Sequence, residues 1–263
     1  MNRKVVAIVA CLSAVLGLSA CSGGTKSGSS EVKYIDSEAI STIAKGFEKR
    51  SDFLESKEYD STSNKSLKKA VNIEIENDEA LKDGKYKDSK LQETVISYLN
   101  TLDDSIEVLD NCSQNDADYY TKWDEVYKER SVLLKTLVRD YDLTVGDKYE
   151  DILDNIVATG NGVEKENKAK DELQAMLDAA TFDKSDDGYG WYTYTATVEN
   201  TSQNTYKNLS VVLAMYDSEG VRGEDGYASA NTWAPGEKIK LETSSDVDAA
   251  QIKTEIEYYD LED

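Results

Sequence analysis

Apolar positions between Tyr34 and about Ala180 recur every three or four residues, the spacing that predicts helices. Ile40, Ile43, Ala44, Phe47 and Leu54 share one face of a first helix, with Asp36 or Ser37 placed to cap it. A thinner stripe of Leu67, Ala70, Val71 and Ile75 predicts a second helix over about Ser66 to Leu81. Ser89 and Gln92 stand at capping-box spacing, and Leu91, Val95, Tyr98, Leu99, Leu102, Ile106 and Leu109 then predict a core helix reaching Cys112. Tyr120, Trp123, Tyr127, Leu134, Leu137, Val138 and Tyr141 predict the buried face of a fourth. Thr144 is placed to cap a fifth carrying Tyr149, Ile152, Leu153 and Ile156. Gly160 and Gly162 are expected to interrupt it before a last helix with Val163, Leu173, Leu177 and Ala180. Five or six helices on short loops predict an antiparallel bundle.

Past "DKSDDGYG" the period falls to two. Tyr192, Tyr194, Ala196 and Val198 alternate with Trp191 and three threonines, and Leu209, Val211, Leu213 and Met215 alternate with residues that include Val212 and Tyr216. The second run is apolar on both faces, as in a strand covered on two sides. Ile252, Thr254, Ile256 and Tyr258 alternate with Lys253, Glu255 and Glu257, as in a strand with one wet face. Asp217-Ser218-Glu219-Gly220 and Ala234-Pro235-Gly236-Glu237 supply turns, the latter with the residues a type II turn prefers. The expected fold is α+β in two domains: an antiparallel helical bundle over 32–182, then a small all-β, immunoglobulin-like sandwich over 188–263.

"VENTSQNTYKNLSVVLAMYDSEGV" followed by "APGEK" resembles the FxLYD module of bacterial surface lipoproteins. The shared features are Asn200-Thr201 closing one strand, Tyr216-Asp217 closing a central strand, Gly220 in a turn, and the Pro-Gly turn. Leu213 and Met215 replace the Phe and Leu of the name-giving motif and keep an apolar residue at both positions. The helical half is similar to that of uncharacterised lipoproteins with the same arrangement. The resemblance implies a β-sandwich and an envelope location, and it implies no catalytic activity and no ligand.

The N-terminus points the same way. Arg3 and Lys4 precede an apolar run, Val5 to Leu18, of signal-peptide length and too short to span a bilayer as a helix. Leu18-Ser19-Ala20-Cys21 resembles a bacterial lipobox, which implies cleavage after residue 20 and a diacylglycerol joined to Cys21 by a thioether. Two acyl chains, at about 0.8 kcal/mol per buried methylene, anchor a protein stably where one does not. Residues 21–31 then read as the lipidated cysteine and a flexible Gly/Ser tether. The one proline, Pro235, follows Ala234, so no Leu-Pro wall-sorting signal is present and the lipid is the expected attachment.

Composition narrows the chemistry. The chain has 52 acidic against 30 basic residues, a formal net charge of −22, and removal of Arg3 and Lys4 makes the mature form more acidic still. Such a surface repels nucleic acid and anionic headgroups, so nucleic-acid binding is excluded. There is no histidine, which rules out His-assisted Ser or Cys catalysis and His-ligated zinc. Once Cys11 leaves with the signal and Cys21 carries lipid, Cys112 is alone, no disulfide forms, and a buried apolar role is expected for it. The one stretch with metal-ligand spacing is Asp183, Ser185, Asp187 and Gly188, which match a calcium loop at four positions. Trp191 and Tyr194 then stand where oxygen ligands belong, and an interdomain turn explains the same residues, so no metal and no other cofactor is expected. Tyrosines outnumber phenylalanines 17 to 3, which suits both half-buried core positions and interfaces; Tyr119, Tyr189, Trp191, Tyr192 and Trp233 are the residues set aside for a binding surface.

The expectation is therefore a non-catalytic binding protein on the extracytoplasmic face of a cell membrane, of Gram-positive type. Its partners would be the membrane, through the lipid, and an envelope component or protein of unspecified identity. The alternative is a solute- or metal-capturing lipoprotein serving a transporter.

Overall fold

A computed structural model describes residues 32–262. Five α-helices come first: α1 (Asp36–Glu55), α2 (Asn64–Asp78), α3 (Ser89–Asn111), α4 (Ala117–Tyr141) and α5 (Glu150–Asp178). Six strands follow: β1 (Asp183–Asp186), β2 (Tyr192–Glu199), β3 (Tyr206–Tyr216), β4 (Arg222–Trp233), β5 (Lys238–Ser245) and β6 (Gln251–Leu261). They form two antiparallel three-stranded sheets, ordered β1-β2-β5 and β4-β3-β6. The protein is thus α+β, with every strand after the last helix.

The first core is helical. Ile43, Phe47, Val71, Val95, Tyr98, Leu102, Leu134 and Leu137 are sealed inside it. Helix starts differ from expectation by about one residue. Asp36 does not cap α1; the helix enters from Ile35 with no side-chain cap, and the Asp36 carboxylate instead accepts the backbone N–H groups of Lys87 and Asp88 at 3.0 and 2.9 Å. Those bonds hold its carboxyl below the usual range and tie the start of α1 to the start of α3. Asp88, one residue before the expected Ser89, caps α3 by accepting from Lys90 and Leu91. Ser63 caps α2, and Thr144 caps nothing, because a 3₁₀ turn, Asp147–Tyr149, leads into α5.

The course of α5 is the main departure. Helices α1 to α4 alternate in direction: Tyr141, at the end of α4, shares a groove with Asp36 and Asp88 at the starts of α1 and α3. An antiparallel α5 would begin there. Instead the segment 142–149, with an extended reach of about 26 Å, runs back along α1. The Gly146 N–H donates to Glu48 at 2.8 Å, and Lys148 bridges Asp52 and Glu55 near the end of α1. Helix α5 therefore starts at the far end and runs beside α4 in the same direction, which puts Gly160 on Ser131 and Glu164 between Lys135 and Arg139. The expected break at Gly160 and Gly162 is absent, and α5 is one 29-residue helix. Gly160 is a contact residue: a Cβ there would lie 2.5 Å from the Ser131 carbonyl oxygen. Glycine costs a helix about 1 kcal/mol relative to alanine, and the close α4–α5 approach offsets that.

A rod of this length spans about 43 Å. Its first half lines the helical core with Leu153 and Ile156, and its second half enters the second core with Ala169, Leu173, Met176 and Leu177. That core takes Val198 and Leu241 from one sheet and Tyr206, Leu209, Val211, Leu213 and Trp233 from the other. The Tyr206 hydroxyl donates to the Ala169 carbonyl at 2.8 Å, and Gln174 donates to the Thr254 carbonyl at 3.1 Å. Strands β2 and β3 carry the expected inward residues, and β6 does so at Ile252, Thr254 and Ile256; Tyr258 is exposed instead, because the β3–β6 register shifts beyond Ile256 and turns Tyr259 inward. Strands β1, β4 and β5 are additions to the expectation.

Asn200 ties the strand ends together. It is 1 % exposed. Its amide donates to the carbonyls of Asn204 (2.8 Å) and Trp233 (2.9 Å), and its side-chain oxygen accepts from the Ser202 N–H and hydroxyl. Its backbone joins Gly236 and Glu237 of the Pro-Gly turn. Asp217 plays the corresponding part after β3, accepting from Glu219 and Val221 at 2.8 and 2.9 Å. Asn200→Ala strands several buried groups at about 1–3 kcal/mol each, so a loss of about 3 kcal/mol or more in urea unfolding is expected, against under 1 kcal/mol for Asn204→Ala.

Candidate functional site

Two arrangements stand out, one sealed and one exposed. The sealed one is a charge cluster at the centre of the helical core. Glu74 of α2 is 0 % exposed and is met by three other helices. Arg130 of α4 donates to both its oxygens at 2.9 and 3.1 Å, Arg50 of α1 donates at 2.8 Å, and the Tyr98 hydroxyl of α3 donates to Oε1. Burial alone would raise the Glu74 carboxyl, but the two guanidiniums and the hydroxyl outweigh it and hold it down at about 2. Burial pushes the Tyr98 phenol well up, and burial beside Arg130 lowers Arg50. The Arg130 guanidinium rests near the rings of Phe47 and Tyr98, 5.7 and 5.6 Å from their centroids. A carboxylate, two guanidiniums and a phenol would suit anion or proton chemistry, but Glu74, Tyr98 and Arg130 are closed off from solvent-borne ligands and Arg50 is largely covered. The cluster binds the four helices to one another.

This cluster escaped the sequence reading, since 52 acidic residues make any single one uninformative. A signal was present nonetheless. Glu74 and Asp78 continue the stripe of Leu67, Ala70 and Val71 at i+4 spacing, so two carboxylates stand where core residues belong.

The exposed arrangement lies on the first turns of α4. The predicted face holds at Leu134 and Leu137 but fails in these turns: Tyr119 is buried, while Tyr120 is 69 % and Tyr127 38 % exposed. Tyr119 stacks on Trp123 with centroids 6.1 Å apart and planes 12° from parallel, and Tyr120 meets Tyr119 edge-on at 5.3 Å. Buried Tyr119 thus props an outer surface of Tyr120, Trp123 and Tyr127, with Thr121 and Asp124 completing a shallow groove of about 650 Å³. The lysines of this turn are already matched, Lys122 to Asp118 and Lys128 to Asp124, while Glu125 and Glu129 have no ion pair among the described residues.

The remaining sequence candidates scatter. Trp233 is fully buried, with its indole N–H on the Glu237 carbonyl at 2.9 Å, and Tyr192 is half-buried. Tyr189 and Trp191 are exposed at the tip of the β1–β2 hairpin. Cys112 is buried at the end of α3. Asp183 and Ser185 lie on β1, paired with Thr195 and Thr193, so the expected interdomain turn is an edge strand. An extended strand holds alternate side chains about 6.6 Å apart instead of curling them round an ion. Asp187 closes the hairpin, accepting the N–H groups of Tyr189 (2.7 Å) and Trp191 (3.2 Å). No group of three or more Cys, Asp or Glu among the described residues is placed to hold a metal ion. Cys21 lies outside the described residues, and no helix among them is long and apolar enough to cross a membrane.

Comparison of the chain with family models, with curated proteins and with solved structures gives no match. What fold and surface define is an α+β protein with an enclosed polar core and an aromatic outer face. Arg130→Ala leaves Glu74 with Arg50 as its one guanidinium partner, and its expected cost is about 3–5 kcal/mol of unfolding free energy. The triple variant Arg50→Met/Glu74→Leu/Arg130→Met, which also removes the guanidinium that loss of Glu74 would leave unpaired, is expected to recover most of that loss in the same denaturant titration.

Proposed function

We propose that this protein is a lipid-anchored, non-catalytic binding protein on the extracytoplasmic face of a Gram-positive-type membrane, and that the aromatic face of α4 holds a basic segment of a partner polypeptide. Cys21 carries the lipid and residues 22–31 serve as the tether. The β strands act as an FxLYD-like, immunoglobulin-like sandwich, a second domain braced by α5; the sharing of one core by Val198 and Leu241 with Val211 and Leu213 supports that reading.

The observation that carries the proposal is the exposure of Tyr120 and Tyr127 beside Trp123. Rings in this position bury large area at small entropic cost, and their electron-rich faces attract lysine and arginine. Charge selects the same partner. The chain carries −22, the lysines of the groove are already neutralised, and Glu125 adds a free carboxylate beside it. A captured solute would need a cleft enclosing most of its surface, and concavities of about 330 to 670 Å³ among the described residues are open grooves. No observation favours the transporter-linked alternative.

Two measurements test the reading. Mass spectrometry of the protein from native membranes is expected to show a diacylglyceryl-modified Cys21 as first residue; an unmodified chain starting elsewhere removes the anchor. A lysine- and arginine-rich peptide is expected to bind in low salt, and Tyr120→Ala with Tyr127→Ala to weaken it at least tenfold, about 1.4 kcal/mol. Binding that survives those changes would move the surface away from α4.

A further inference from the structure

Asp78, the last residue of α2, is 0 % exposed and only half satisfied. Its Oδ1 accepts from the Asn77 amide at 2.9 Å, whereas Oδ2 has no hydrogen-bond partner among the described residues. The carboxyl lies in the seam between α1 and α2. Gly46 of α1 passes directly over it: a Cβ there would stand 2.9 and 3.0 Å from the two oxygens. The same seam is stitched by Asn77, whose amide donates to the Thr42 carbonyl at 2.8 Å and whose oxygen accepts from Lys49 at 2.7 Å.

The charges around Asp78 come from every neighbouring helix. Lys49 and Arg50 lie on α1, Glu74 on α2 itself, Tyr98 on α3 and Arg130 on α4, and Tyr86 precedes α3. Lys49 and Arg130 favour an ionised Asp78, but both have other partners, Lys49 on Asn77 and Arg130 on both oxygens of Glu74. The Glu74 carboxylate opposes a second negative charge, and Asp78 sits at the negative end of the α2 dipole. Burial is the largest influence, and together with Glu74 it raises the Asp78 carboxyl to about 7.

We propose that the α1–α2 seam is a proton-operated latch, closed over a neutral Asp78 and loosened when that residue ionises. A neutral acid in a dry seam costs one unpaired polar group; a carboxylate there costs an unpaired charge, which only water or a new cation can relieve. The latch is independent of the binding surface on α4.

The sign follows from the two states. Unfolded, Asp78 releases its proton near 3.8; folded, it keeps the proton to about 7. The folded chain holds the extra proton between those values, so its stabilising effect is complete below pH 4 and is lost as pH rises toward 7. Glu74, held at about 2, acts oppositely, but its effect is confined to pH below 4.5. Between pH 4.5 and 7 the folding equilibrium constant is therefore expected to fall up to tenfold per pH unit.

Urea unfolding of the full protein from pH 4.5 to 8.5, with hydrogen-exchange protection factors for residues 39–50 and 70–84, tests this. The native chain should lose stability and seam protection as pH rises. Asp78→Asn, of the same shape and without a titrating proton, should hold both flat and be the more stable protein at pH 8. Infrared difference spectra should show a protonated-carboxyl band titrating near 7 that Asp78→Asn lacks. Equal pH dependence in both proteins, or absence of that band above pH 6, overturns the latch.

Discussion

Helix α5 lies against α4 because residue 160 has no side chain, and the chain's two cores depend on that contact. At Gly160 the helices approach so closely that a methyl group would enter the Ser131 peptide. The approach fixes where α5 leaves the helical core, and so where Ala169, Leu173 and Leu177 meet the strands. The helix is stiff over its whole length, with no proline and no break. Motion of one core therefore reaches the other through a rod, whereas a Gly/Ser linker would have absorbed it.

The helical core has a second organising element with the opposite character. Most of its side chains are interchangeable in kind, leucine against leucine, and such packing alone tolerates sliding and rotation. Glu74 does not. It has one position in which Arg50, Tyr98 and Arg130, from three different helices, all reach it. Burying those charges costs several kcal/mol per ion, so a better-packed apolar core of the same volume would be no less stable. What the cluster supplies is register: a slip of any one helix by a residue leaves a charge unpaired. Buried Lys135, paired with Glu164, extends the same restriction to α5.

Those buried charges also explain which parts were legible from sequence. Helix α3 and strands β2 and β3 have apolar interiors, and their stripes could be read directly. The buried face of α4 joins Arg130, Ser131 and Lys135 to the expected Leu134 and Leu137, so polar residues interrupt its apolar stripe, and in the first turns Tyr120 and Tyr127 were assigned inward in place of Tyr119. Strand β4 was invisible for a packing reason. Its inward positions include Gly226 and Ala228, small because Thr243 of β5 presses against the strand; a Cβ at Gly226 would lie 2.3 Å from the Thr243 hydroxyl. In α5, glycine was read for its low helix propensity when its role was contact. The loop over Asp183 to Asp187 matched a ligand spacing, yet spacing alone could not distinguish a curl from a strand and a hairpin tip.

The tyrosine excess separates into two populations once positions are known. Tyr98, Tyr194 and Tyr206 are buried, and each spends its hydroxyl on a fixed partner: Glu74, the Val247 carbonyl (2.7 Å) and the Ala169 carbonyl (2.8 Å). Cys112 is free and no disulfide joins the described residues, so these bonds serve as cross-links, joining helix to helix, strand to loop and helix to strand. Phenylalanine could fill the same volumes but could make none of those bonds. Tyr120, Tyr127 and Tyr189 share the residue type and none of that demand, since their rings stand in water with no buried acceptor to serve. Structural need thus accounts for the first group and not for the second. Tyr34, Tyr227 and Tyr258 are exposed as well, but of the exposed tyrosines Tyr120 and Tyr127 stand on α4 beside Trp123, on a rigid helix with a ring stacked beneath them, and a surface held that firmly is best suited to binding without rearrangement.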